Sequence, residues 1–125
     1  MLDKNNVKAF MLQLAGGDPE HSDESMFIID WTIRDLEDRL DADKVGTEYI
    51  RDCEYAAACV ALYEYICREA GREQVTVTAQ GKADENADFT HRIRSAKELR
   101  DSALERIGRL MKGEDFLFKT MGGES

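Results

Sequence analysis

The sequence predicts a mainly α-helical fold, a bundle of about four helices with one short β-strand or hairpin between the third helix and the last. Three observations predict it. Apolar residues recur at three- and four-residue spacing in four separate stretches, the period of a helix that buries one face. The single proline, Pro19, follows Asp18 where a helix would begin. Alternation of apolar with polar β-branched residues occurs in one place, Val75-Thr76-Val77-Thr78.

The first helix rests on Val7, Phe10, Met11 and Leu14, which share one face. Asp3 caps its start and Gly16-Gly17 ends it. A second helix starts at Asp18-Pro19, or at Ser22 or Asp23. It carries a heptad-like seam through Met26, Ile29, Ile33, Leu36 and Leu40, with Phe27, Ile28 and Trp31 beside it. That breadth suits a helix with neighbours on more than one side.

Thr47 caps a third helix. One apolar line runs through Tyr49, Cys53, Ala56, Val60, Tyr63 and Cys67, and a second through Ile50, Ala57, Ala61 and Ile66. Apolar around most of its girth, this helix is expected at the centre of the core, and Ala56-Ala57-Ala58 lets a neighbour approach closely. Gly71 is its expected stop. The strand over residues 74–80 needs a partner for its backbone, either a hairpin strand within residues 82–90 or another chain. Residues 81–88 read as a polar loop.

The last helix is expected from about Phe89 or Ser95 to Met111, burying Ile93, Ala96, Leu99, Ala103, Ile107 and Leu110. Ser95-x-x-Glu98 matches a capping box. Residues 1–112 therefore form a single helical domain. Residues 113–125 are a C-terminal tail whose Phe116, Leu117, Phe118 and Met121 either fold back or act as an interaction arm.

Composition narrows the function. A chain of 125 residues, 42% hydrophobic and 34% charged, has material for one core and is not a disordered tail. Its formal net charge of −9 argues against sequence-specific nucleic-acid binding and against an anionic membrane surface, since both need a positive field. The charge is also divided. Residues 18–54 hold thirteen acids against four bases, whereas residues 91–112 hold seven bases against three acids. The basic last helix is best explained by complementarity to the acidic second helix, in the same chain or the next.

Catalytic and metal patterns are sparse. His21 and His91 sit in no ligand or nucleophile spacing, and no phosphate-loop, dinucleotide, nucleophile-elbow or zinc-protease motif occurs. Asp41-x-Asp43-x-Val45-Gly46 and Asp84-x-Asn86-x-Asp88 resemble fragments of calcium loops. In the first, Val45 lacks the needed oxygen and Asp52 stands where a bidentate glutamate is preferred; in the second, Phe89 replaces the turn glycine. Both read as solvated loops. Cys53, Cys59 and Cys67 lie on one helix in an odd number, which fits reduced core thiols rather than a disulfide framework. The expectation is no enzyme, no metal and no cofactor, in a protein that stays in a cytoplasm and binds other protein chains.

The order of features resembles the small head-tail connector, or head-completion, proteins of long-tailed bacteriophages and prophages. The residues that carry the likeness are Val7, Phe10 and Leu14 of the leading helix. They continue with Asp23-Glu24-Ser25-Met26-Phe27-Ile28-Ile29 and Leu36-Glu37-Asp38-Arg39-Leu40, then the alanine-rich Tyr55-Ala56-Ala57-Ala58-Cys59-Val60-Ala61-Leu62-Tyr63, the Val75-Thr76-Val77-Thr78 segment and the closing amphipathic helix. Residues 82–88 are more acidic than that pattern, and the tail beyond Gly113 has no counterpart in it.

The resemblance implies a subunit that oligomerises into a ring between portal and tail. Its partners would be portal and tail or stopper proteins, met first in the bacterial host cytoplasm and then in the virion neck. The residues nominated for such contacts are Asp35 and Asp38 on the second helix, Val75 and Val77 on the strand, Arg100, Arg106 and Arg109 on the last helix, and Phe116 with Phe118 in the tail. The alternative is a small helical regulatory or adaptor protein that binds a single cellular partner.

Overall fold

The computed structural model describes the backbone of residues 1–16, 22–80 and 84–113, and the side chains of all of these except 22, 72–80 and 84–89. Four α-helices follow one another: α1 (Lys4–Ala15), α2 (Ser22–Arg39), α3 (Thr47–Gln80) and α4 (Asp84–Arg106). A 3-10 turn over Gly108–Leu110 completes the described order.

α1 begins where Asp3, in extended backbone, accepts a hydrogen bond from the Asn5 N–H at 2.8 Å. It ends at Gly16, whose left-handed φ of 82° lets its own N–H donate to the Leu12 carbonyl. A side chain in that conformation would be strained, which is why glycine stands there. Val7 and Met11 are buried, and Phe10 packs edge-on against Tyr55 of α3 with ring centroids 5.5 Å apart.

α3 is the axis of the molecule. Cys53, Ala56, Ala57, Ala58, Cys59, Ala61, Leu62, Tyr65 and Ile66 are all buried, and in a helix those positions point in every direction around the axis. Its neighbours α1, α2 and α4 all pack on it, α4 most extensively. The consecutive alanines have no exposed surface, and their small side chains let neighbouring segments approach α3 closely. One connected core results, drawing Val7 and Met11 from α1, Ile28, Ile29 and Leu36 from α2, and Ala96, Ala103 and Leu104 from α4.

Several expectations are corrected here. Residues 74–80, including Val75 and Val77, are the last turns of α3 and not a strand, and α4 starts at Asp84, so the hairpin in residues 82–90 is absent too. Gly71 lies inside the helix and does not stop it. The reason is cooperative. A helix already nucleated gains one backbone hydrogen bond for each residue added, whereas a lone strand leaves its backbone unpaired. Against that gain, a β-branched residue costs only a few tenths of a kcal/mol and a glycine about 1 kcal/mol. Asp84-x-Asn86-x-Asp88 is likewise helical backbone rather than a loop.

The far end of the bundle closes by backbone pairing. Leu40 and Met111 form an isolated antiparallel bridge in which the Asp41 N–H donates to the Leu110 carbonyl and the Lys112 N–H to the Arg39 carbonyl, both at 2.8 Å. The segment after α4 is thereby pinned to the end of α2, beside the start of α3. Between α2 and α3, Asp41 to Asp43 form a turn in which the Asp43 N–H donates to the Asp41 carboxylate at 3.1 Å. That oxygen serves its own backbone.

Candidate interaction surfaces

On α2 the exposed side chains are Asp23, Phe27, Trp31, Arg34 and Asp38, a stripe at helical spacing opposite the buried line of Ile28, Ile29, Thr32 and Leu36. Phe27 is 61% exposed and Trp31 59%. Read from sequence, both belong to a broad apolar face; in the structure they point away from the chain's own core. Spacing alone carries the signal, since Phe27 and Trp31 lie off the seam on the side of Asp23 and Asp38.

The nominated residues fall into several situations. Asp38 is exposed on that same stripe. Asp35 pairs with Arg39 one turn on, at 3.2 Å, and the two share a shallow depression of about 130 Å³ with Arg100 of α4. The ion pairs shown for Asp35 and Arg100 stay within their own helices, with Arg39 and Asp101.

Arg100 itself is committed inside the subunit. Its guanidinium lies 4.4 Å from the centre of the Tyr63 ring and holds the Asp101 carboxylate at 3.0 Å. Arg109 stacks 5.0 Å from the centre of the Tyr49 ring while remaining exposed, and Arg106 is exposed near Tyr55 and Cys59, where its charge favours their ionised forms. Charge reversal at Arg100 therefore disturbs the fold as well as the surface, whereas Arg106 is open to such a test. The side chains of Val75 and Val77, and the whole of Phe116 and Phe118, lie outside the described residues.

Local electrostatics follow from these contacts. Burial pushes the Asp101 carboxyl up, but hydrogen bonds from Lys97 and Arg100 outweigh it and hold the group below its ordinary value. Elsewhere, Lys4 pairs with Asp30 at 2.8 Å, Arg68 with Glu64 at 3.2 Å, and Arg68 also reaches Glu24 of α2 at 3.5 Å. Asp30 and Glu64 thus each serve a separate ion pair rather than a shared cluster. Among the described residues no group of three or more histidine, cysteine or acidic side chains is placed to hold a metal ion. Nor is any described helix long and apolar enough to cross a membrane.

Burial governs the thiols. Desolvation, reinforced by the charges of Asp52 and Glu54, pushes Cys53 from an ordinary 9.0 up to about 11. Burial likewise raises Cys59, against a hydrogen bond from Tyr55 and the charge of Arg106. Because the folded value of Cys53 exceeds the unfolded one, its stabilising contribution is complete below about pH 9 and is lost as pH rises toward 11. Timed reaction with a thiol reagent at pH 8 should therefore modify half-buried Cys67 first, with Cys53 and Cys59 following only on unfolding.

A role that sequence reading missed belongs to Glu54. It is buried, 3% exposed, and its carboxylate accepts the Asp3 N–H at 2.7 Å and the Asn6 side-chain amide at 3.2 Å. Glu37 similarly accepts the Leu2 N–H at 2.8 Å and pairs with the Met1 ammonium at 3.2 Å. Two acids that look like surplus surface charge in the sequence hold the start of α1 against α2 and α3.

A groove of about 490 Å³ lies between the end of α1, the middle of α3 and the middle of α4. Met11, Leu62, Ile66 and Ala96 line it with apolar surface, and Glu69, His91, Arg92 and Ser95 supply polar groups. Leu99, expected on the buried line of the last helix, stands at this groove and is 37% exposed.

Compared with protein-family models, with curated proteins and with solved structures, the chain shows no match.

Proposed function

We propose that this chain is a structural assembly subunit, similar to the phage head-tail connectors, that oligomerises into a ring and joins a portal to a tail or stopper protein. The observation that carries the reading is the exposed aromatic pair of α2. Phe27 and Trp31 sit one helical turn apart, more than half exposed, on a stripe bounded by Asp23 and Asp38. Large aromatic side chains remove a large apolar area from water when covered and are enriched at the centres of protein interfaces. Acids flanking them favour a partner surface of opposite sign and disfavour contact of the stripe with itself.

Exposed cations of the last helix and the turn after it, among them Arg94, Arg106 and Arg109, supply such a surface in the same chain. A contact between unlike faces is heterologous, and repeated with a closing rotation it makes a ring. Assembly of this kind takes place in the bacterial host cytoplasm and ends in the virion neck.

An aromatic pair at i and i+4 is also the anchor spacing of a helix laid in a partner's groove, so an adaptor that binds one cellular protein is the second reading. Light scattering and electron microscopy of the purified chain, alone and mixed with a portal protein, separate the two. Rings or growing mass support the connector. A strict monomer in both preparations contradicts it.

A further inference from the structure

The groove between α1, α3 and α4 has no occupant among the described residues, yet it is apolar at its floor and large enough, at about 490 Å³, to enclose a drug-sized ligand. The same chain carries a segment of matching chemistry. Phe116-Leu117-Phe118 lies between Glu114-Asp115 and Lys119, and the groove's apolar floor is rimmed by the charged groups of Glu69 and Arg92 and by His91. We infer that the Phe116-Leu117-Phe118 segment of one copy docks in the α1–α3–α4 groove of the next, which rests on the assembly reading above and gives it a second, directional contact.

Reach decides between a copy's own groove and a neighbour's. The described chain leaves the fold at Gly113, beside the end of α2, just after Arg109 has stacked on Tyr49 at the first turn of α3. The groove's α3 wall begins at Leu62, thirteen residues along that helix, a rise of about 20 Å. Phe116 and Phe118 lie three and five residues beyond Gly113, so a fully extended chain carries them at most roughly 11 and 18 Å. Even with a ring's own length added, Phe116 stops short of its own groove and only Phe118 attains the edge, so the two rings cannot enter it together. A neighbouring copy has no such limit. Because the groove and the segment are different surfaces, the contact is head-to-tail and leaves one free groove and one free arm at the ends of every open chain.

The test uses three full-length proteins. In the first, Phe116→Ser with Phe118→Ser disables the arm. In the second, Leu99→Glu places a carboxylate at the rim of the groove, at a position exposed enough to leave the fold intact, as a thermal melt followed by circular dichroism would verify. The wild type is the third. Light scattering over a concentration series should show each variant alone associating at least about tenfold more weakly than the wild type. An equimolar mixture of the two variants should associate more strongly than either variant alone and stop short of the wild-type mass, since one arm–groove pairing is regained.

A fluorescent peptide spanning residues 113–121 should also bind the arm-disabled protein and not the Leu99→Glu protein, which keeps the test sound if either variant folds poorly. Arm-disabled protein that associates like the wild type, a mixture that associates no better than either variant alone, or a peptide that binds both variants equally would overturn the inference while leaving assembly through α2 standing. Wild type that remains monomeric throughout would remove the assembly reading itself.

Discussion

Truncating Ile29 to alanine is expected to lower stability by about 2–5 kcal/mol, whereas truncating Phe27 or Trp31 on the same helix should change it by no more than about 0.5 kcal/mol. Ile29 has no exposed surface and packs in the core shared with α3, so its removal costs both the transfer of apolar atoms and the cavity they leave. Phe27 and Trp31 are about 60% exposed and lend the core little. Urea denaturation of the three variants checks the contrast. Hydrophobicity alone ranks the three residues the wrong way round, because the two aromatics are the larger apolar groups. A stability loss at Phe27 or Trp31 as large as that at Ile29 would mean that the stripe is part of the subunit's own core.

Removing the carboxylate of Glu54 is the second large effect. In Glu54→Ala the Asp3 N–H and the Asn6 amide lose a charged acceptor in a buried setting, an expected cost of about 2–3 kcal/mol. Glu54→Gln retains one acceptor oxygen and should recover part of it. Hydrogen exchange locates the damage. The first turn of α1 should lose protection in the alanine variant while the middle of α3 keeps it, because Glu54 acts on the start of α1 and the buried alanines of α3 do not depend on it.

What could be read from the sequence was whatever local chemistry decides. Asp3 and Gly16 bracket α1 as expected, since capping depends on a few neighbouring atoms. The central place of α3 also follows from the sequence, because apolar residues around most of its girth leave it only a narrow face for water. The segment Val75-Thr76-Val77-Thr78 shows the limit of that reasoning. Its strand preference is a matter of tenths of a kcal/mol per residue, too small to oppose extension of a helix that reaches Gln80.

Surfaces were harder to read than elements. Sequence pattern placed Phe27 and Trp31 on an apolar face but could not show that no other part of the described chain covers it. Arg100 looked like any exposed helical cation, and its commitment to Tyr63 and Asp101 depends on how α4 crosses α3, which no local window contains. Glu54 was hidden for the same reason, its partners being about fifty residues away.

Trp31 is the chain's only tryptophan, so tryptophan emission reports on the surroundings of the α2 stripe. Recording that emission together with light-scattering mass over a wide concentration range is the most direct trial of assembly through α2. If the stripe is a docking surface, emission moves to shorter wavelength in step with the growth in mass, and Phe27→Ser suppresses both. Mass that grows while the indole keeps the emission of a water-exposed side chain, or a monomer at every concentration, would contradict it.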